Sequence, residues 1–182
     1  TSVGAELLDE VLAHCHFGGK EFTVEAGRPD TINKDVADVL KKHGVTRISV
    51  NPQTFNDKTL EIIGRRHKCA DTYNAYMLVK DDFDVNMDLI ACLPGETFED
   101  FKRSVDIAVA LAPANITVHT LYMKKGSALK QCGYDNTDYD TASKMVDYAY
   151  SKLTESGYEP YYMYRQKYTS GNLENVGYAK PG

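Results

Sequence analysis

No apolar run in the 182-residue sequence approaches the roughly 18 residues that span a bilayer, and no charged start followed by an apolar stretch marks a secretion signal. Those two absences make a cytoplasmic protein without a membrane partner the simplest reading. Positive charge is also in short supply: 21 Lys and Arg against 26 Asp and Glu give a formal net charge of -5. A nucleic-acid surface built on bulk positive charge is therefore not expected. Cysteine is sparse and scattered. Cys15, Cys69, Cys92 and Cys132 stand 54, 23 and 40 positions apart, so no pair has the close spacing of a metal knuckle or redox motif. All four read as reduced, mostly buried thiols, and no metal site can be assembled from them. His14, His16, His43, His67 and His119 show no shared ligand spacing either. What is present, 42% hydrophobic and 26% charged residues, suits one globular domain over residues 1–182 with a substantial core and a small-molecule site.

Periodicity alternates between helix and strand. Leu7, Leu8, Val11, Leu12 and Cys15 fall on one helical stripe within Gly4 to Cys15, and Phe22 and Val24 alternate against Thr23 and Glu25 in a strand from Glu21 to Ala26. Asn33 can cap a second helix that His43 and Gly44 would end. A strand at Val45 to Val50, helical stretches from about Asp57 to Lys80, and a strand at Val85 to Ile90 follow. Thr97 and Asp100 have the spacing of a capping box for the next helix, with Phe101, Val105, Ala108 and Leu111 as its apolar stripe. A strand at Ile116 to Leu121, a helix from about Tyr139 to Ser156 and an edge strand at Pro160 to Tyr164 complete the series. Strand starts near 22, 46, 85 and 116 leave room for a crossover helix in every interval, which predicts a parallel sheet in an α/β fold. The pattern fits a doubly wound sheet or a (β/α) barrel and does not separate them.

In both architectures ligands bind at the carboxyl ends of the strands, so polar residues there are the candidates. Glu25 ends the first strand, Gln53 follows the second, Asp88 interrupts the third, and Tyr122 follows the fourth. Asp88 lies among Val85, Met87, Leu89 and Ile90, where a carboxylate is costly unless it is paired. Arg65, next to Arg66 in the connection after Gln53, has a fork suited to a carboxylate. Leu93-Pro94-Gly95-Glu96-Thr97 either shapes a bend or presents helix amides to an anion. Tyrosines gather toward the C-terminus at Tyr158, Tyr161, Tyr162, Tyr164 and Tyr168, where packing with a polar tip is the plain expectation.

Five ordered blocks carry a resemblance. They are Val24-Glu25-Ala26-Gly27-Arg28-Pro29-Asp30-Thr31, Arg47 through Phe55, Gly64-Arg65-Arg66-His67, Met87 through Thr97, and Tyr161 through Lys167 with Asn172 through Tyr178. Together they resemble the radical S-adenosylmethionine family of oxygen-independent coproporphyrinogen III oxidases, and look most like its coproporphyrinogen dehydrogenase branch of the HemZ type. The resemblance implies a partial (β/α) barrel of parallel strands, part of a radical SAM (β/α)6 barrel. It also implies S-adenosylmethionine contacts at Glu25, Gln53, Arg65 and Asp88, with Tyr122 added as a strand-end candidate. The implied chemistry uses a [4Fe-4S] cluster and an electron donor to generate a 5′-deoxyadenosyl radical, which decarboxylates propionates of a porphyrinogen substrate in haem biosynthesis. Some relatives are haem carriers, and other radical enzymes of this type take different substrates, so those alternatives stay open. Two departures stand out. The alternating pattern opens in mid-unit at Thr1 and Ser2, so the chain is expected to be a C-terminal portion of the barrel, without the cluster cysteines and inactive by itself. Cys92 occupies a position where the family usually has glycine, which is expected to alter a close backbone approach.

Overall fold

The computed structural model describes residues 3–15, 18–122, 134, 139–165 and 173–181. Helix α1, Ala5–Ala13, precedes a two-residue strand β1, Thr23–Val24, and a 3-10 turn at Pro29–Thr31 leads to α2, Lys34–Lys42. Asn33 caps α2 by accepting from the Val36 amide at 3.0 Å, and Gly44 at φ 71° turns the chain after it. Strand β2, Arg47–Ser49, is followed by two helices, α3, Asp57–Ile62, and α4, Cys69–Val79. Gly64 at φ 70° separates these two helices. Strand β3, Asp84–Ala91, helix α5, Phe98–Leu111, strand β4, Asn115–Thr120, helix α6, Tyr139–Glu155, and strands β5, Glu159–Arg165, and β6, Glu174–Ala179, complete the order.

The sheet runs β1-β2-β3-β4-β6-β5. The four strands β1 to β4 pair in parallel, as the crossover spacing predicts. The expectation of a wholly parallel sheet needs correcting at the C-terminal end, where β6 lies antiparallel to both β4 and β5. The physical reason is reach: β5 ends at Arg165 and β6 begins at Glu174, too short an interval for the crossover that parallel neighbours require. β6 was not among the predicted strands. β5 is the edge strand that Pro160 suggests.

Helices fill one side of this sheet. Val85, Met87, Leu89 and Ala91 of β3 alternate into that side at 0–2% exposure, and two buried clusters continue from them. The first joins β2 and β3 to α1, α2 and α4, and the second joins β3, β4 and β6 to α5 and α6. Of the predicted α1 stripe, Leu8 and Leu12 are buried whereas Leu7 and Val11 are about half exposed. Among the described residues no helix is long and apolar enough to cross a membrane. Of the described cysteines only Cys92 is buried; Cys15 is exposed and Cys69 is half-buried, which corrects the expectation for those two. Cys132 lies outside the described residues.

Candidate functional site

The side of the sheet away from the helices carries the polar half of each strand's alternation. A cleft of about 400 Å³ opens there, lined along β1 to β4 by Thr23 and Glu25, Arg47 and Ser49, Asn86 and Asp88, and Thr117 and His119. That volume is within the ~300–1,000 Å³ typical of small-molecule sites. Each strand contributes two residues spaced by two, the spacing that puts both on one face. Period two therefore explains how Asp88 sits beside Leu89: the carboxylate faces the cleft, half-buried, and does not penetrate the core. The expectation that a carboxylate among these apolar residues needs a partner is met by the hydrogen bond from Asn86 Nδ2.

Hydrogen bonds orient the two carboxylates. Ser49 Oγ donates to Glu25 Oε2 at 2.8 Å while accepting from the Gly27 amide at 3.0 Å. Across the cleft floor, Thr117 Oγ1 donates to Asn86 Oδ1 at 3.2 Å, and Asn86 Nδ2 donates to Asp88 Oδ1 at 2.8 Å. His119 Nε2 stands 3.7 Å from the same Asp88 oxygen, close enough for charge attraction but not for a hydrogen bond. Glu25 Oε1 and Asp88 Oδ2 have no hydrogen-bond partner among the described residues. The cleft thus offers two half-satisfied carboxylates, backed by hydroxyl and amide groups that fix their rotamers, a set suited to hydroxyls or an ammonium group.

Of the five candidate residues, the structure brings Glu25 and Asp88 together and sets the other three elsewhere. Gln53 is buried with φ 66°, and its backbone is bound to β3 on both sides: its amide donates to Asp88 O and its carbonyl accepts from Ile90 N, each at 2.9 Å. Its side chain does not line the cleft. Arg65 is exposed on a separate depression of about 380 Å³ with Asp57, Lys58, Glu61, Arg66 and Lys68. Buried His67, whose Nε2 donates to the Pro52 carbonyl at 3.2 Å, ties that segment to the end of β2. Tyr122 is half-buried after β4 and outside the cleft lining. Ser49, Asn86, Thr117 and His119 were not singled out as site residues, and the signal that could have found them was the paired polar positions on successive strands.

The bend before α5 resolves toward its structural reading. Gly95 at φ 76° makes the turn. Thr97 Oγ1 accepts from the Asp100 amide at 3.2 Å and Asp100 Oδ2 accepts from the Thr97 amide at 3.0 Å, so the box is closed. With Glu99 and Asp100 in the first turn, this helix end already has its negative charge. Glu96 turns inward, where Thr54 Oγ1 donates to its Oε1, and burial pushes its carboxyl above the usual range despite that bond. Cys92 has φ 65°, a left-handed backbone that glycine adopts without cost, and its Sγ is buried against Met145 Sδ at 3.9 Å. The glycine that the resemblance implies for this position would adopt that backbone without strain. Burial, then the neighbouring Asp57, push the Cys69 thiol up to about 12.

Comparison with known proteins places the cleft in context. The Radical SAM superfamily model matches residues 2–108. The oxygen-independent coproporphyrinogen-III oxidase-like protein HemZ of Bacillus subtilis is 44% identical over 167 residues, covering 90% of this chain and 33% of HemZ. The heme chaperone HemW of the same organism is 35% identical over 106 residues, covering 57% of this chain and 28% of HemW. The Escherichia coli coproporphyrinogen III oxidase HemN superposes with a TM-score of 0.75 at 20% identity, over 97% of this chain and 39% of HemN. The chain therefore spans about a third of the length of HemZ, and the likeness to HemN supports the partial barrel as the fold.

Proposed function

Because the chain belongs to the Radical SAM superfamily, we propose that its cleft holds S-adenosylmethionine and that the full-length protein carries out oxidative decarboxylation of coproporphyrinogen III propionates. The convergence of Glu25 and Asp88, each with one oxygen unpaired among the described residues, carries this reading. The donor set fits the cofactor. Carboxylate oxygens accept from ribose hydroxyls or an ammonium group, and the Ser49 and Asn86 bonds hold them in place before binding. Arg65 and Gln53, which the resemblance implies as cofactor contacts, and Tyr122, a strand-end candidate, have no such arrangement in the cleft; Arg65 lines a separate depression.

Bound with a [4Fe-4S] cluster, S-adenosylmethionine supplies the family's hydrogen-abstracting radical chemistry, with an electron donor as the required partner. No group of three metal-binding side chains is formed among the described residues, so they do not fit the cluster. The 182-residue chain by itself is expected to show no turnover, because Cys15, Cys69, Cys92 and Cys132 lack the close spacing of a cluster motif. What this chain's residues contribute is placement: Thr117 and Asn86 orient Asp88, and Ser49 orients Glu25. The substrate assignment is supported by the identity to HemZ. The similarity to HemW supports a second reading, a haem carrier of the same family.

Calorimetry on the full-length protein tests the cofactor assignment. Glu25→Ala and Asp88→Ala are each expected to raise the Kd for S-adenosylmethionine by about tenfold or more, since hydrogen bonds to charged groups contribute ~1.5–3 kcal/mol. Unchanged affinity in both variants would sink it. Incubating the protein with coproporphyrinogen III, reductant and S-adenosylmethionine separates the two functions: protoporphyrinogen formation supports the oxidase, and tight haem binding without conversion supports the carrier.

A further inference from the structure

The cleft has an aromatic wall that the cofactor reading does not use. Tyr161 and Tyr162 of β5 both line it, although neighbours on a strand ordinarily point to opposite faces. The register explains the exception. Pro160 pairs with Tyr178 and Tyr162 with Gly177, so Tyr161 is the extra residue of a bulge, and a bulge re-aims a side chain. The Tyr161 ring lies over Gly177, where a Cβ would meet its ring atoms at 3.2 and 3.3 Å, so any side chain on that strand position would displace the ring. The two rings stand 6.4 Å apart with an angle of 41° between their planes, and they are 57% and 52% exposed. Exposed aromatic surface inside a ligand-sized cleft is the kind that binding covers.

Distance separates this wall from the carboxylates. From Asp88 on β3 to the tyrosines on β5 the sheet passes through β4 and β6, three strand intervals or roughly 14 Å at ~4.8 Å each. A molecule held by acceptors on β1 and β3 leaves the tyrosines free for a second one. Arg47 lines the same cleft with its terminal nitrogen 3.3 Å from Glu21 Oε2, while its buried Nε has no hydrogen-bond partner among the described residues, so its guanidinium is only partly engaged by the protein's own carboxylate. We infer that Tyr161 and Tyr162 form the substrate side of the cleft and hold a pyrrole ring of the porphyrinogen, a specificity-determining role that rests on the function proposed above.

The test follows coproporphyrin III binding to the full-length protein by its visible absorption, with S-adenosylmethionine calorimetry in parallel. Tyr161→Ala and Tyr162→Ala are each expected to weaken coproporphyrin III binding about five- to tenfold, the size of a lost ring contact. The phenylalanine variants should restore it to within about twofold, and affinity for S-adenosylmethionine should stay within about twofold throughout, which also reports an intact fold. Unchanged coproporphyrin III affinity in both alanine variants overturns the assignment to these tyrosines alone. An equal loss of S-adenosylmethionine affinity overturns it as well, by making the wall a seat for the cofactor's adenine. A wild-type protein that binds S-adenosylmethionine but not coproporphyrin III overturns the porphyrinogen reading and this one with it.

Discussion

The two faces of β3 differ sharply in burial and in what they touch. On one, Val85, Met87, Leu89 and Ala91 are sealed beneath helices at 0–2% exposure; on the other, Asn86 and Asp88 face an open cleft and bond to each other. One residue of sequence separates a side chain that holds the fold together from one that is free to meet a ligand. Stability and binding are therefore carried by alternate positions of the same strand, and a substitution should disturb one with little effect on the other.

The largest expected effect comes from the sealed face. Leu89→Ala should cost about 2–5 kcal/mol in denaturant unfolding, the range for removing a fully buried leucine, while Asp88→Ala next to it should cost about 1 kcal/mol or less. Comparable losses for both would mean that Asp88 belongs to the core. A smaller effect is expected at Glu96, whose folded carboxyl is raised by burial. Below the ordinary value of 4.5 it is protonated in both states and contributes nothing; as pH rises from there through the raised folded value, ionising it in the interior lowers stability. Glu96→Gln should thus raise the midpoint at pH 7 relative to wild type and flatten the decline that begins near 4.5, as unfolding curves across that range would show. The smallest effect is expected at Cys92. Glycine there relieves a left-handed backbone costing ~1–2 kcal/mol but leaves the volume of a small thiol empty, so Cys92→Gly should fall within about 1 kcal/mol of wild type. A loss as large as that of Leu89→Ala would show that packing against Met145 governs the position.

Local signals in the sequence located what local chemistry builds. Asn33 and the Thr97 and Asp100 pair start their helices where the capping pattern puts them, and the parallel strands follow from crossover lengths. β6 was hidden because its support is distant. Asn175 is buried and spends its side-chain Oδ1 on the Thr120 amide at 2.8 Å, and Gly177 makes room for a ring from another strand, so polar and small residues occupy places where a strand pattern expects apolar ones. The site was half legible for a related reason. Strand positions can be read from the chain, which points to Glu25 at a strand end and Asp88 within a strand, but which residues share a cleft depends on how the sheet curves. Hence Arg65, by resemblance, and Tyr122, by its place after a strand, are grouped with them, whereas His119 and Ser49, which do line the cleft, are passed over.

Gln53 gives the cleft a property beyond its lining. Its left-handed backbone lets the overhang of β2 reach sideways and bond to β3 on both sides of Leu89, and the Asn51 Oδ1 accepts from the Asp88 amide at 3.2 Å just beneath. Two neighbouring strands are thereby laced at the rim, and the backbone carrying Asp88 cannot shift without taking the Asn51-to-Gln53 segment with it. A ligand arriving there meets backbone already bonded across the two strands, so little of its binding energy is spent on ordering the protein.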